Sequence, residues 1–362
     1  MKNKAIKSLG FLTVASLIST SALAQVTVSG YVEAGFLTGN NTGGRTASSS
    51  GMGGESVVTI TGKGNLTNGW TYMAYQNLDS DEAGNGRNTA NNSPMTTRAI
   101  ELSPNKDYKL FYTYDGVFGG EIARTAVPTV TERVGDMTGA SGISEFIDVT
   151  SGSHAFGFEV LNAGPAGRFS VAYNPNLDSN VQSSSDRIQS GTLPTTGSTA
   201  ASAYSIGYSV TPGPVKVALG LTKIDQQHSA TAKDATSKTL GVTYTGSGYA
   251  IGAQRTKNDG TRAALTEASN IQDQVDTVAA SFAANKEITL GASYSKMDRK
   301  GTAIVAGPDL KVMQAVIACN LGPVVASIAY EDAKNAPALG TNQATTSGQD
   351  AQTTKIKVKA NF

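Results

Sequence analysis

The sequence predicts an all-β protein, a transmembrane antiparallel β-barrel of about 16 strands with long outer loops. Three observations support this prediction. The last nine residues, 354–362, alternate apolar side chains with lysines, which gives a strand with one apolar and one charged face. Similar alternating segments recur along the chain, and short connections alternate with long ones between them. Short turns at one end of the strands and long loops at the other are typical of outer-membrane barrels.

The first 24 residues have the features of a cleaved signal peptide. Three lysines precede a short, mostly apolar stretch at 9–18, and Ala22-Leu23-Ala24 supplies the small residues of a cleavage site. The alternative, a membrane anchor, needs roughly 20 apolar residues. Because the stretch is shorter and contains Ser and Thr, we predict that residues 1–24 are removed on export and that residues 25–362 form the barrel domain.

The composition excludes several classes of protein. Removal of the signal peptide, which contains three lysines and no acidic residue, changes the formal charge from +1 to −2, so no basic field for nucleic acid remains. After residue 24 the sequence has no apolar run long enough for a membrane-spanning helix. The single cysteine, Cys319, cannot form an internal disulfide, and its apolar alternating surroundings indicate packing rather than thiol chemistry.

Sixteen segments have the alternation and composition of strands. In chain order they are 26–36, 55–62, 69–77, 97–103, 107–114, 153–161, 168–173, 201–210, 215–224, 237–245, 249–257, 274–284, 287–297, 310–321, 324–332 and 354–362. Each membrane crossing needs about 9 to 11 tilted residues, so the exported chain is long enough for this number of strands. A barrel of this size also leaves room for an aqueous channel.

The connections support the strand assignment. The short ones contain Asn, Gly or Pro, which tolerate or fix turn dihedrals, as in Pro104-Asn105-Lys106 and Gly246-Ser247-Gly248. The long, polar ones are 37–54, 78–96, 115–152, 174–200, 225–236, 258–273, 298–309 and 333–353. A parallel β-helix would show a short fixed repeat, which is absent, and a water-soluble sandwich would not confine its long loops to alternate connections.

The two faces of the predicted wall differ in polarity. On the strand at 237–245, Leu240, Val242 and Tyr244 share one face, which we expect to contact lipid or another subunit. Thr239 and Thr243 share the other face with Gly241. A soluble barrel would fill that face with an apolar core, so we expect a water-filled interior here.

Basic residues occur at several positions on the predicted inner face. Lys355, Lys357 and Lys359 form a ladder on the last strand, and alternation also places Lys109 and Lys216 inside. Like charges on one strand repel, so the ladder requires water or an opposing acidic surface. Two further cations, Arg98 and Arg255, lie instead on the face of their strands that carries the apolar residues.

The long loop at 115–152 is the source of candidate acids. It contains six acidic residues and two arginines, and the acids that we expect at a pore constriction are Glu121, Asp136, Glu132 and Asp115. Facing the wall lysines, they would create a transverse field that favours small polar solutes and ions over apolar ones. The mechanism would be passive diffusion without covalent chemistry. Each acid has the alternative of being an ordinary hydrated loop residue.

These features resemble one family, the Gram-negative general diffusion porins with sixteen strands and trimeric assembly. The resemblance rests on the opening strand at 26–36, the terminal Phe362, the strand count, and the overlong loop after the fifth strand. Within that loop, Val117-Phe118-Gly119-Gly120-Glu121 is similar to the Phe-Gly-Gly turn of the family's constriction loop, although no Pro-Glu pair precedes it.

The resemblance implies further properties. It implies an outer-membrane location, a third loop folded into the barrel, and a homotrimer surrounded by outer-membrane lipids and lipopolysaccharide. Outward aliphatic residues on the first and last strands, such as Val28, Ala34, Ile356 and Val358, would suit the subunit interface. It also implies that Phe362 is the signal for the barrel-assembly machinery.

Other functions have less support in the sequence. The only histidines, His154 and His228, have no spacing that suggests a metal site or a catalytic base, so we expect no enzyme activity, metal or cofactor. Asp79-Ser80-Asp81-Glu82 could offer oxygen ligands to calcium, but such loop clusters are usually hydrated, and the resemblance implies packing against a neighbouring subunit. A substrate-selective channel and a non-conducting adhesin remain alternatives. The lysine ladder argues for anions and the acidic loop for cations, so the sequence leaves ion selectivity open.

Overall fold

A computed structural model places the strands in one closed antiparallel barrel. It describes residues 25–40, 49–81, 95–114, 117–123, 127–131, 134, 137, 154–161, 167–175, 201–226, 234–261, 270–301, 309–336 and 349–362. The predicted signal peptide at 1–24 lies outside these residues. Within the described part of the chain, no helix is long and apolar enough to cross a membrane.

The strand count of sixteen is confirmed within the residues that the structure describes. The strands are β1 (Gln25–Asn40), β2 (Ser49–Asn65), β3 (Thr71–Asp81), β4 (Met95–Asn105), β5 (Tyr108–Tyr114), β6 (His154–Val160), β7 (Arg168–Asn174), β8 (Ala201–Val210), β9 (Val215–Gln226), β10 (Ala235–Thr245), β11 (Tyr249–Thr261), β12 (Asn270–Ala283), β13 (Ile288–Gly301), β14 (Leu310–Leu321), β15 (Val324–Ala336) and β16 (Gln349–Asn361).

Several strands are longer than the sequence predicts at the end that carries the long loops. β2 begins at Ser49 instead of Glu55, and β3 continues to Asp81 into the predicted second loop. These extensions consist mostly of Gly, Ser and Asp, which have little strand propensity, and they show no apolar alternation. They are strands because each has a hydrogen-bonded neighbour, as in the pairs Gly35–Gly53 and Ser56–Ser80.

The barrel closes between its first and last strands. Every strand pairs with its neighbours in sequence, and β1 pairs with β16 from Tyr31–Asn361 to Asn40–Gln352. At the short-turn end of this seam, Gly30 and Phe362 exchange two backbone hydrogen bonds of 3.0 Å. A Cβ placed on Gly30 would overlap the Val57 carbonyl oxygen and lie 2.9 Å from the Phe362 ring. The closing contact therefore depends on the absence of a side chain at position 30.

Alternation of the two faces is confirmed by exposure. The predicted outward residues of β10, Leu240, Val242 and Tyr244, are 48%, 41% and 43% exposed. Their neighbours Thr239 and Gly241 face inward and are buried. The same contrast runs along β14, where Val312 and Val316 are buried while outward positions are exposed. The outer faces of these strands are therefore largely apolar, as a lipid-facing wall requires.

Substitution of the seam glycine tests the closing contact. We expect Gly30→Val to lower the free energy of unfolding by about 2 kcal/mol, since overpacking a tight site forces the backbone apart. Urea unfolding of the refolded barrel in lipid vesicles measures this quantity. Gly62→Val is the matched control, because the nearest atom to a Cβ at Gly62 is 4.0 Å away. Equal losses in the two variants would contradict the importance of the seam.

Candidate functional site: the channel interior

The third loop enters the barrel, as predicted. Its residues Gly119–Ala123 form a short 3-10 helix whose residues are all buried. The Gly119 amide donates a hydrogen bond to Ser170 Oγ at 2.8 Å, and the Gly120 amide donates one to Ser205 Oγ at 2.6 Å. Both serines lie on the inner face, on β7 and β8 respectively, and both are fully buried. Hydroxyls of the wall thus bind the loop backbone directly.

Phe118 anchors the start of the loop segment. Its ring stacks on Phe111 of β5 with 3.9 Å between ring centroids, and the two residues are 3% and 4% exposed. The Lys109 Nζ lies over the same ring, 5.6 Å from its centroid. Phe118 therefore contacts both an aromatic ring and a cation of the wall, both on β5.

Glycines on the inner wall make room for the loop. A Cβ on Gly207 would overlap the Gly119 carbonyl oxygen, and a Cβ on Gly252 would lie 2.8 Å from Pro128. A Cβ on Gly291 would overlap the Val130 side chain. These three positions, on β8, β11 and β13, form what we call the glycine track.

Beyond the glycine track the loop continues along the wall. Val134 packs in an apolar cluster with residues of β12 to β16, and Met137 packs with Val316 and Ala329 of β14 and β15. The described loop residues thus follow the inner wall from β5 around to β15. In the strand order, β16 and β1 are half-way round the barrel from β8 and β9, so they form the side of the interior opposite the 3-10 helix.

That opposite wall carries the lysine ladder, with acids beside it. Lys357 Nζ lies 3.1 Å and Lys355 Nζ 3.6 Å from the Glu33 carboxylate on β1. Lys359 Nζ lies 3.3 Å from the centre of the Tyr31 ring, and the Tyr31 hydroxyl donates a hydrogen bond to Glu55 at 2.9 Å. The neighbouring strands β1 and β2 therefore supply acidic groups beside the ladder.

A second cluster of charged side chains lies on the inner wall of β4 to β7, near the short turns. Lys109 Nζ is 2.8 Å from Glu101 and 3.4 Å from Glu159, while Arg168 Nε donates a hydrogen bond to Glu159 at 2.6 Å. Glu159 is fully buried and the Glu101 side chain is 5% exposed. Because isolated buried carboxylates are costly, the two cations offset the cost of burying both acids.

The predicted site residues differ in where they lie. Lys109, Lys355, Lys357 and Lys359 line the interior as described, and Lys216 shares the inner face of β9 with the buried Ala218. Of the loop acids, Glu121 is buried in the 3-10 helix at 4% exposure. Asp115, Glu132 and Asp136 lie outside the described residues. Their assignment to a constriction stays a prediction.

Sequence analysis missed several interior charges. Glu33, Glu55, Glu101, Glu159 and Arg168 were not among the predicted site residues, although each lies on the inward register of its strand. Comparing that register between neighbouring strands would have identified them. By contrast, Arg98 and Arg255 face outward, as their apolar register indicates, with Arg98 stacked over Tyr114 at 5.0 Å.

Sites for metal chemistry are absent from the described part of the chain. No group of three or more His, Cys, Asp or Glu residues in it could hold a metal ion. His154 is outside the barrel, where its Nδ1 shares a 2.8 Å hydrogen bond with the Tyr112 hydroxyl. Asp79 and Asp81 are part of strand β3, but the structure does not describe their side chains. Glu82 and His228 lie outside the described residues.

Fold and interior define a class of protein, a transmembrane barrel with an apolar outside, a polar inside and a loop folded into its lumen. Residues 12–119 match the profile of the family described as Gram-negative porin. This partial match and the closed sixteen-strand barrel agree with the resemblance that the sequence predicts.

Solved structures share this fold at low sequence identity. The anion-selective porin from Comamonas acidovorans is 16% identical, with a TM-score of 0.62 over 94% of this chain and 100% of that one. A variant of Rh. blastica porin is 11% identical, with a TM-score of 0.61 over 93% and 100%. The outer-membrane expressed OmpT of Vibrio cholerae is 11% identical, with a TM-score of 0.58 over 96% and 99%. No curated protein matches the sequence.

Truncation of Phe118 tests the loop anchor. We expect Phe118→Ala to remove about 3 kcal/mol of packing, as is typical for a buried Phe, and so to loosen the loop. In single-channel recordings the variant should show more open-channel noise and should close at lower voltage than the unmodified protein. Val117→Ala is the control, because Val117 is adjacent and 56% exposed. Similar recordings from both variants would exclude a special role for the stacked ring.

The buried charge group on β4 to β7 makes a second prediction. Lys109→Met leaves the Glu101 carboxylate buried without its cation, which we expect to cost about 3 kcal/mol in the free energy of unfolding. Adding Glu101→Gln should recover part of this loss, because a neutral amide is cheaper to bury than a charge. Urea unfolding of both variants in vesicles compares them. If the double variant is no more stable than the single one, the pair is not coupled as described.

Proposed function

We propose that the protein is an outer-membrane porin, a general diffusion channel in which a charged wall on β16, β1 and β2 selects among small hydrophilic solutes and ions. The observation that carries this proposal is the contact of Lys355 and Lys357 with Glu33 across the seam. Charges of both signs lie beside one another on a wall that faces the loop-covered side. Such an arrangement orients water and polar solutes and disfavours apolar ones.

The constriction is proposed to lie between this wall and the third loop. The loop acids Asp115, Glu132 and Asp136 would complete the transverse field, while Glu121, being buried, would act on the local potential from within the 3-10 helix. Passage is passive, and no step requires a nucleophile, a metal or a cofactor. We therefore propose no enzyme activity.

General diffusion has more support than substrate selectivity. A selective channel would present exposed aromatic rings along the lumen as a sliding surface. Of the interior aromatics considered for this role, Phe111 is 4% exposed beneath Phe118, and the face of Tyr31 is occupied by Lys359. The rings therefore serve packing and charge positioning. A non-conducting adhesin would not need an ordered set of charges in its interior.

We also propose a homotrimer whose subunits meet along β16 and β1. The outer face there is aliphatic, with Val28, Ile356 and Val358 each about half exposed in the single chain. Phe362, at 60% exposure, is proposed as the residue that the barrel-assembly machinery recognises before the seam closes. Lipopolysaccharide and other outer-membrane lipids would surround the rest of the trimer.

Neutralising single charges tests the proposed filter. A charge about 4 Å from a passing ion in water is worth about 1 kcal/mol, roughly a fivefold change in relative permeability. We expect Lys355→Met to move the reversal potential in a salt gradient towards cation preference, and Glu33→Gln to move it towards anion preference.

Lys334→Met is the matched control, since Lys334 faces outward and is paired with Asp332 and Asp350. Planar bilayer recordings of the purified porin provide the reversal potentials, and channel closures in steps of three would support the trimer. The control should keep the original reversal potential. If Lys355→Met and Glu33→Gln keep it too, the seam does not control selectivity. Absence of any conductance from folded protein would contradict the channel itself.

A further inference from the structure

Lysines of the ladder lean towards the short turns, away from the residues that they face across the seam. In the register of β16 and β1, Lys357 is opposite Gly35 and Lys359 is opposite Glu33. Lys357 nevertheless reaches Glu33 at 3.1 Å, while Lys359 lies over the ring of Tyr31, 3.3 Å from its centre. Because inward residues of a strand are two positions apart, each lysine contacts the inward residue of β1 one step nearer the short turns.

The lean brings two ammonium groups to one carboxylate. Lys355 passes beside Gly35, where an added Cβ would lie 3.9 Å from its Cε, and reaches Glu33 at 3.6 Å. Together with Lys357, it surrounds the carboxylate with positive charge. Lys359 is the direct cross-strand neighbour of Glu33, close enough for a lysine side chain to reach it. Three lysines are thus within reach of Glu33, and the third is placed on Tyr31 instead.

The ring of Tyr31 is fixed by its own hydroxyl. That hydroxyl donates a hydrogen bond of 2.9 Å to Glu55 on β2. Glu55 and Glu33 are directly opposed across β2 and β1, a like-charge arrangement that is unfavourable unless each acid has a partner. The hydroxyl contacts Glu55, while Lys355 and Lys357 contact Glu33. A hydrogen bond at the far end of the ring restricts its rotation, so the face that receives the third lysine is held in place.

We propose that Tyr31 is a positioning residue that sets the ion preference of the channel by holding Lys359 apart from Glu33. The negative face of the ring attracts the ammonium group, and the carboxylate is left to Lys355 and Lys357. Without the ring, Lys359 competes for the same carboxylate, and one of the three ammonium groups projects into the water of the lumen. The inference rests on the proposed charged wall and adds an uncharged residue to those that determine selectivity.

Reversal potentials of the full porin in planar bilayers test the proposal. We expect Tyr31→Leu to raise the permeability ratio of anions to cations by roughly two- to fivefold, because an ammonium group moves into the ion path. Tyr31→Phe keeps the ring face and should shift the ratio much less. Val57→Ala is the matched control, because Val57 faces Tyr31 across β2 and β1, is buried and carries no charge. This control should keep the original ratio.

A double variant shows whether the effect passes through Lys359. In a Lys359→Met background, Tyr31→Leu should leave the permeability ratio unchanged, since the ammonium group that it displaces is gone. Equal shifts with and without Lys359, no shift in Tyr31→Leu, or an equal shift in Tyr31→Phe would overturn the proposal. Lys355→Met and Glu33→Gln are recorded in the same bilayers. A channel that responds to these two variants but not to Tyr31→Leu disproves the positioning role alone.

Amine labelling measures the position of Lys359 independently of conductance. The folded porin in detergent is treated with a water-soluble acetylating reagent, and peptide mass spectrometry follows each lysine. Lys359 should react roughly two- to fivefold faster in Tyr31→Leu than in the unmodified porin, as expected for the loss of a cation–π contact. Lys334, which faces outward and is paired with Asp332 and Asp350, should react equally in both. Equal rates at Lys359 would overturn the proposal. Tyr31→Met, which also lacks a ring, replaces Tyr31→Leu if that variant does not fold.

Discussion

The structure depends on one constraint, that every backbone hydrogen-bonding group crossing the membrane must have a partner within the protein. A sheet meets this constraint only when its first and last strands pair with each other. The seam between β1 and β16 is where this happens, and it ends on the reciprocal backbone bonds of Gly30 and Phe362. Closure fixes which face of each strand is inside, and so decides which side chains can meet water.

The interior depends on closure in a second way. Lys355 and Lys357 are on β16, whereas Glu33 is on β1, so their contacts exist only in the closed barrel. In the sequence these residues are more than 300 positions apart. The proposed filter is thus formed only when β1 and β16 pair, and an unclosed sheet would leave the lysines without these contacts to Glu33. Function and closure are coupled through the same two strands.

Much of the fold could be predicted because the membrane imposes a period of two on each strand. Leu240, Val242 and Tyr244 were placed outside from sequence alone, and their exposure confirms it. The start of β2 at Ser49 could not be predicted, since Gly and Ser give no alternation and only pairing with β1 makes them a strand. The interior was harder. The inward lysines follow from register, but the partners Glu101 and Glu159 of Lys109 depend on neighbouring strands, and the position of Phe118 depends on the path of a loop that has no period.

The glycine track sets the thickness of the wall beneath the loop. At Gly207 the backbone of the wall and the backbone of the loop meet with nothing between them, and at Gly252 and Gly291 the loop side chains rest on bare strand. The free cross-section of the lumen therefore depends on how closely the loop lies against the wall as well as on the side chains of the loop. A related chain could narrow its pore in steps of one methyl group by replacing track glycines with alanine, while every lumen-facing charge stayed unchanged. Solute size limits and ion preference would then vary independently, each under the control of a different wall.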